Sequence, residues 1–391
     1  IRRALHLRVE SADNIILIIN YCILNNTFFP ISICTNELSM KLKYNRNIRV
    51  GFIGAGNWAE FNHMPILKER EDVELVGIAT PTKKSRDRVT TNFNIQFSTS
   101  DYRELLKKPL DAVVISSPHG YHFEHAKAAL EANLHVLVEK PMTLRASESW
   151  ELVKLAKQKG LVLLVPTGYH YNPIVIAAKE QMDQGAVGSI EYIFCHMGSA
   201  LRNLYMGEAW PYSIRRIPDP KKHYSDPQIS GGGQGYSQLS HSVAMLLWLT
   251  GLRATKVFAY MTGPGASVEL YNAIVARLDN GAIATISGAG TQPSNKTKHE
   301  LDLRIYGTEG ELSFDLFYEH FTVHREDGKN LILNVEAGDG EYTCDGPLHN
   351  FIDLIRGESS NNLSPAEIGA RAIELIEAAY RSAALGKEIE V

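Results

Sequence analysis

Along residues 47–167, short apolar runs rich in β-formers alternate with longer stretches that carry apolar residues at helical spacing. The runs are Val50–Ile53, Val73–Ala79, Ala112–Ser116, His135–Glu139 and Val162–Val165. Trp58–Arg70, Tyr102–Leu106, Tyr121–Glu131 and Ala146–Gln158 read as helices between them. Buried runs separated by helices predict an α/β unit, a doubly wound parallel sheet with its ligand at the carboxyl ends of the strands. After Pro173 the pattern changes. A helix, Pro173–Gln184, leads into longer strands that alternate apolar and polar: Ile190–Met197, Lys256–Met261, Val268–Leu278, Ile283–Gly288, Leu301–Tyr306 and Glu311–Asp315. Asp279-Asn280-Gly281 and Gly307-Thr308-Glu309-Gly310 are hairpin turns by composition. This half is expected to be α+β, with a large, mostly antiparallel open sheet. One face would be covered and the other free to pair with a second copy, giving a homodimer or homotetramer. Leu348–Ile355 and Pro365–Leu385 read as closing helices.

The patterns divide the chain into an extension at 1–46, a dinucleotide-binding domain at 47–170 and a substrate and oligomerisation domain at 171–391. Residues 1–39 fit neither half. Ile15–Ile33 is apolar but broken by Asn20, Asn25, Asn26 and Pro30, which suits neither a signal peptide nor a membrane span. Met40 precedes the first strand, so the expectation is an extension foreign to the domain, read from an over-long gene.

The first strand ends in Gly54-Ala55-Gly56-Asn57-Trp58-Ala59. Gly54 permits a tight turn, Gly56 lets the backbone approach a pyrophosphate, and Ala59 lets the helix pack close to the strand. Asn57 and Trp58 stand at the helix entrance, where free N–H groups favour phosphate. Thr80 ends the second strand where a carboxylate would bind the ribose hydroxyls of NAD. Lys83, Lys84 and Arg86 follow it, and cations there attract a 2′-phosphate, so NADP is favoured over NAD. A solvated helix start would carry the same residues. Ser117, Pro118 and His122 follow the third strand, and Glu139-Lys140-Pro141 follows the fourth. Pro141 stops strand pairing and leaves Lys140 at the ligand-bearing edge.

In the second half, Gly231-Gly232-Gly233 opens a loop that runs through Tyr236 and Ser237 into a helix ending at Gly251. Leu239, Val243, Leu246 and Leu247 make its apolar stripe, while Ser237 and His241 share another face. His241 suits general acid–base chemistry, and an interior histidine would look the same. Residues 199–230, with Trp210, Tyr212, Arg215, Arg216, Lys221 and Lys222, line a substrate cleft or form a solvated loop.

From Arg49 to the C-terminus these elements resemble the Gfo/Idh/MocA oxidoreductase family. The resemblance is carried by Gly54-x-Gly56-x-x-Ala59, Ser117-Pro118-x-x-x-His122, Glu139-Lys140-Pro141, Gly231-Gly232-Gly233 with His241, Gly307-Thr308-Glu309-Gly310 and Glu377-Ala378-Ala379-Tyr380-Arg381-Ser382. It implies a nicotinamide cofactor and a sugar, cyclitol or related polyol. It also implies that Lys140 orients the reacting hydroxyl and that His241 exchanges its proton. Tyr169, from the Tyr169-His170-Tyr171 run, Tyr236 and Ser237 would contact substrate. The sequence departs from the family where many members carry an Asp four residues before the histidine and another three after it. Ser237 and Ala244 stand there, so no carboxylate is at hand to raise the imidazole pKa. An NAD-dependent glycosidase and a non-catalytic regulatory protein of the same fold are the alternatives.

Composition adds bounds. The 391 residues are 44% hydrophobic and 21% charged, ordinary for a globular chain, and the net charge of −4 points to neither nucleic acid nor membrane as partner. Cys22, Cys34, Cys195 and Cys344 lack metal-site or disulfide spacing, which suggests no metal and a reducing compartment, the cytoplasm.

Overall fold

The computed structural model describes residues 46–209, 219–293 and 298–391. The extension at 1–39, Cys22, Cys34 and the cleft candidates Trp210, Tyr212, Arg215 and Arg216 lie outside the described residues.

Six strands make the first sheet: β1 (Ile48–Ile53), β2 (Val73–Ala79), β3 (Phe97–Thr99), β4 (Ala112–Ile115), β5 (His135–Val138) and β6 (Leu163–Leu164). Their order is β3-β2-β1-β4-β5-β6 and every pairing is parallel. β4 and β5 are buried at each position because helices cover both faces, so these strands read as unbroken apolar runs. The order reverses between β1 and β4, which opens a crevice beyond their carboxyl ends, the natural seat of a dinucleotide.

The second sheet has nine strands in the order β14-β13-β12-β11-β7-β10-β9-β8-β15. They are β7 (Ile190–Gly198), β8 (Ala254–Thr262), β9 (Tyr271–Leu278), β10 (Ile283–Ala289), β11 (Glu300–Gly307), β12 (Gly310–Asp315), β13 (His320–Arg325), β14 (Leu331–Ile332) and β15 (Ile389–Glu390). All pairs are antiparallel except β7 with β10. β9 alternates buried and accessible residues along its length. On the accessible side Tyr260, Val275 and Ile283 present large apolar surface. On the other side the helices Pro173–Asp183, Ser240–Thr250 and Ala366–Leu385 close the core.

Three expectations are revised. The helix after the glycine turn opens with a π turn, Ala59–His63, and becomes regular at Met64–Glu69. The strand expected from Val268 begins at Tyr271, because Gly263 to Leu270 form a loop closed by the bond from Leu270 N to Thr262 O. The helix Ser240–Thr250 is not amphipathic: Ser240 to Leu247 are all buried. It lies between the second sheet and the helices Pro173–Asp183 and Ala366–Leu385, which enclose Ser240 to Leu247 and leave Trp248 and Thr250 partly accessible.

The two closing helices bind the halves together. Leu348, Phe351, Ile352 and Ile355 of the helix Asp345–Arg356 enter the core beneath the first sheet. The helix Ala366–Leu385 packs against both β8 and the helix Ala146–Lys159. Its Glu374 accepts a bond from Trp150 Nε1 at 2.7 Å, and its Glu377 one from Ala146 N at 2.7 Å. The crevice of the first sheet and the helix bearing His241 are thereby held in fixed relation.

Candidate active site

The glycine turn is shaped by its neighbours. Gly54 has φ of 92°, and a Cβ there would lie 2.6 Å from the main chain of Ser116 and Ser117, which no side-chain motion relieves. A Cβ on Gly56 would meet nothing within 4 Å, so this residue borders open space. The first N–H of the helix to find an intrahelical acceptor is Glu60 N, on Gly56 O at 3.0 Å, and among the described residues no side chain caps this end. An open floor and uncapped N–H groups fit a pyrophosphate.

The neighbouring candidates have defined places. Thr80 is buried at the end of β2. Lys83 and Lys84 open the helix Lys83–Phe93, with Lys83 Nζ 2.6 Å from Asp87. Arg86 Nη1 donates to Thr80 O at 2.6 Å and Pro81 O at 2.8 Å, bracing the corner with a positive charge. Ser117 Oγ shares a hydrogen bond of 2.9 Å with His125 Nδ1. His122 is fully buried, with Nδ1 2.8 Å from Pro141 O and Nε2 2.8 Å from Ser117 O, so it ties two loops of the crevice together rather than presenting a nitrogen to it. Pro118 leads into that loop, where His119 Nδ1 lies 3.1 Å from Ser230 O in the other half.

Glu139 ends β5 as a buried anchor. Its Oε1 accepts Trp58 Nε1 at 2.8 Å and His63 Nε2 at 2.7 Å, and its Oε2 accepts Lys140 N at 3.1 Å. Burial pushes this carboxyl up, yet the His63 bond and the charges of His63 and Lys140 bring it below its ordinary value. It thus holds Trp58, at the helix entrance beside Asn57, against the root of Lys140.

Lys140 crosses to the other half. Its Nζ donates to Ser237 O at 3.0 Å, one turn ahead of His241. Burial lowers its pKa, against the pull of Glu139 and Cys344. His241 is lowered well below its ordinary value by burial first, then by the charges of Lys140, His299 and His170. The imidazole is therefore neutral near pH 7. Among the described residues its Nδ1 is buried without a hydrogen-bond partner, an orphan that a ligand hydroxyl would satisfy. Tyr169 and Tyr342 meet the His241 ring edge-on, with centroids 5.7 and 5.3 Å away, and Tyr342 also stands 6.3 Å from Trp58. Tyr236 donates to Leu144 O at 2.8 Å and packs on Tyr380, and Ser237 Oγ bonds Tyr205 OH.

Several residues at this site escape a reading of the sequence. Tyr342 comes from the loop after β14, His299 from the approach to β11, and Tyr205 and Gln234 from the far side of Ser237. Glu269 accepts from the main chain of Gly233 and Gly235, and from Tyr380 OH at 2.6 Å. None follows a periodic pattern; the only local hint is the glycine spacing itself.

A glycine turn at the head of a parallel sheet, beside a lysine from the end of β5 that meets a histidine-bearing helix of the second half, is the architecture of a Rossmann-fold oxidoreductase. Residues 48–167 match the model of the oxidoreductase family with an NAD-binding Rossmann fold, and residues 175–313 match the GFO/IDH/MocA C-terminal domain. The chain belongs to the Gfo/Idh/MocA oxidoreductase family. It is 29% identical over 206 residues to the uncharacterized oxidoreductase sll0816 of Synechocystis sp., covering 52% of this chain and 52% of that protein. It is 25% identical over 378 residues to levoglucosan dehydrogenase of Pseudarthrobacter phenanthrenivorans, covering 85% of this chain and 88% of that one. The matched stretch spans 52%, 62% and 58% of the length of three of the curated relatives. A solved structure of levoglucosan dehydrogenase with NADH and levoglucosan superposes with a TM-score of 0.71 at 22% identity, covering 88% of this chain and all of that one. At that identity the likeness speaks to fold.

Proposed function

We propose that the protein is an NAD(P)-dependent dehydrogenase or reductase that acts on a secondary hydroxyl, or the matching ketone, of a sugar, cyclitol or related polyol. The observation that carries this reading is the bond from Lys140 Nζ to Ser237 O, which seats an ammonium one helical turn from an orphaned imidazole, beside the crevice of a dinucleotide fold. The relative named for levoglucosan, an anhydro sugar, supports the substrate class.

Gly54, Gly56, Asn57 and the helix N-terminus would hold the pyrophosphate, with Thr80, Lys83, Lys84 and Arg86 around the ribose, and Trp58 and Ser117 toward the ring. When bound, a nicotinamide supplies the hydride acceptor or donor. Lys140 donates to the alcohol oxygen, and its positive charge favours alkoxide character there. His241, neutral, takes the hydroxyl proton at Nδ1 during oxidation and returns it during reduction. Tyr169 and Tyr342 hold the imidazole plane edge-on and keep bulk water from it. NADP is favoured, because no carboxylate stands at Thr80 to repel its 2′-phosphate while Lys83, Lys84 and Arg86 follow at the corner. We further propose that two copies pair through the accessible face around Tyr260, Val275 and Ile283.

The test is a panel of myo-inositol, glucose and levoglucosan with NAD⁺ and NADP⁺, followed by nicotinamide absorbance. Turnover of at least one polyol, lost on Lys140→Ala, is the expected result. Cofactor binding without turnover of any polyol would refute the proposal.

A further inference from the structure

Strand pairing lines up the accessible side of the second sheet in rows. One row starts at Tyr260 and passes through Ser287 and His196 to Asp302, Asp315 and His320. Asp302 on β11 and Asp315 on β12 therefore stand directly opposite each other, and like charges so placed repel. Asp302 is held by Arg304 of its own strand, whose Nη2 donates to Oδ2 at 3.2 Å and Nε to Oδ1 at 3.4 Å. Asp315 Oδ1 accepts Phe317 N at 2.8 Å and Tyr318 N at 3.0 Å. Among the described residues no cation pairs with it. Asp302 and Glu300 act on it from β11 and His320 lies opposite on β13, with His196 beyond Asp302. Glu311 and His324 line the same hollow, of about 360 Å³. Lys256 and Arg277 lie toward the other edge, on β8 and β9, the first held by Glu388 and Glu390, and Arg325 of β13 is held by Asp327. Burial pushes the Asp315 carboxyl up, and the charges of Asp302 and Glu300 add to this against the two N–H bonds.

A second copy seated on this side has to cover that row. At about 3.4 Å per residue and about 4.8 Å between strands, a strand the length of β9 offers about 130 Å² of face. A stable interface takes about 800 Å² from each partner, the area of about six such strands. Tyr260, Ile283 and Val275 lie on β8, β10 and β9, and β15 beyond β8 adds only two residues. In the other direction the sheet continues through β7 and β11 to β12. An interface of ordinary size centred on the apolar patch therefore reaches Asp315 and takes water from a carboxylate that already stands against another.

We propose that the pairing of two copies through this face is proton-linked: Asp315 takes up a proton from solvent as the second copy covers it, so the dimer tightens as pH falls. The inference rests on the pairing proposed above and adds a pH control to it. The sign follows from burial, which disfavours the charged form of a carboxyl. A covered Asp315 keeps its proton to a higher pH than an uncovered one. Between those two pH values the dimer binds more protons than two separate copies and gains as pH falls. Each copy contributes one proton, so the dimer Kd changes by up to about a hundredfold per pH unit in that window.

Sedimentation equilibrium of the full-length protein from about pH 8 to about pH 5.5 reads the dimer Kd, and far-UV circular dichroism marks the range in which the chain stays folded. Asp315→Asn keeps an acceptor oxygen for the N–H groups of Phe317 and Tyr318 and removes the charge. Asp302→Asn removes the charge opposite, and Val275→Arg places one in the apolar patch. The wild-type Kd is expected to fall at least about tenfold across the range. Asp315→Asn should pair at the alkaline end about as tightly as the wild type does at the acid end, with no slope. Asp302→Asn should keep the slope and move it to lower pH, and Val275→Arg should stay monomeric throughout. A wild-type dimer with the same Kd at every pH, or a slope that survives in Asp315→Asn and so belongs to the histidines of this face, would overturn the proton linkage and leave the pairing intact. A wild type that is monomeric at every pH, or a dimer indifferent to Val275→Arg, would overturn both.

Discussion

Replacing Glu269 by Gln tests how the imidazole is kept in place. The carboxylate is buried. Its Oε2 accepts Gly233 N at 2.8 Å, and its Oε1 accepts Gly235 N at 2.7 Å, Tyr380 OH at 2.6 Å and Asn272 Nδ2 at 3.3 Å. The glycine loop has a single seat: a Cβ on Gly232 or Gly235 would strike Tyr380, and one on Gly233 would lie 1.9 Å from Glu269 O. A glutamine amide has one acceptor oxygen. If that oxygen serves Gly235, Tyr380 and Asn272, the NH₂ group faces the N–H of Gly233, donor against donor. A buried unsatisfied donor costs about 1–3 kcal/mol, and each remaining bond loses its charge assistance, about 1 kcal/mol apiece. The sum is about 4–6 kcal/mol, a fall of several degrees in thermal midpoint. The loop leads directly into Tyr236, Ser237 and His241, so kcat/KM should fall as well. Cofactor affinity should hold, because Glu269 and the glycines it binds are not among the groups placed around the dinucleotide. Calorimetry with a fluorescence titration of NADPH reads both. A variant as stable as the wild type within about 1 kcal/mol would refute the claim that this carboxylate organises the loop.

Lys140→Ala should abolish turnover and leave cofactor binding nearly unchanged; unchanged turnover would remove the ammonium from the mechanism. NADPH should bind more tightly than NADH, and Arg86→Ala should narrow the gap; a titration with the order reversed would sink the argument from the β2 corner. Stability should fall as pH drops below about 6.5, before the carboxylates titrate. Burial holds His119 at about 3 and His125, His170 and His299 at about 4, so in this window the unfolded chain binds protons that the folded chain refuses. His170 alone, fully buried, corresponds to about 2 kcal/mol at pH 5. A thermal midpoint that stays flat between pH 7 and pH 5 would contradict this.

Much of the architecture was legible without coordinates. The parallel sheet was visible because strands covered on both faces must be apolar throughout, and the open sheet because half-covered strands must alternate. The glycine turn was visible because Gly54 adopts a backbone geometry that suits few other residues. The strand β13 and the short strands β3, β14 and β15 were not read; β3, β14 and β15, of two or three residues, are too short to show a period. The helix with His241 was assigned correctly in place and wrongly in character, because an apolar stripe within the sequence cannot show that the polar face is buried too.

Local chemistry along the chain thus determined the fold class, the glycine turn after the first strand and the presence of a lysine at a strand end and a histidine on a helix. Tertiary structure alone decided that these two are neighbours, joined by Lys140 Nζ on Ser237 O across 97 residues of sequence. It also decided that the Ser237 hydroxyl meets Tyr205 and that Glu269 and Tyr380 clamp the glycines. The reason is physical: strand and helix patterns record burial near in sequence, whereas a hydrogen-bond network records which distant groups folding deprived of water together.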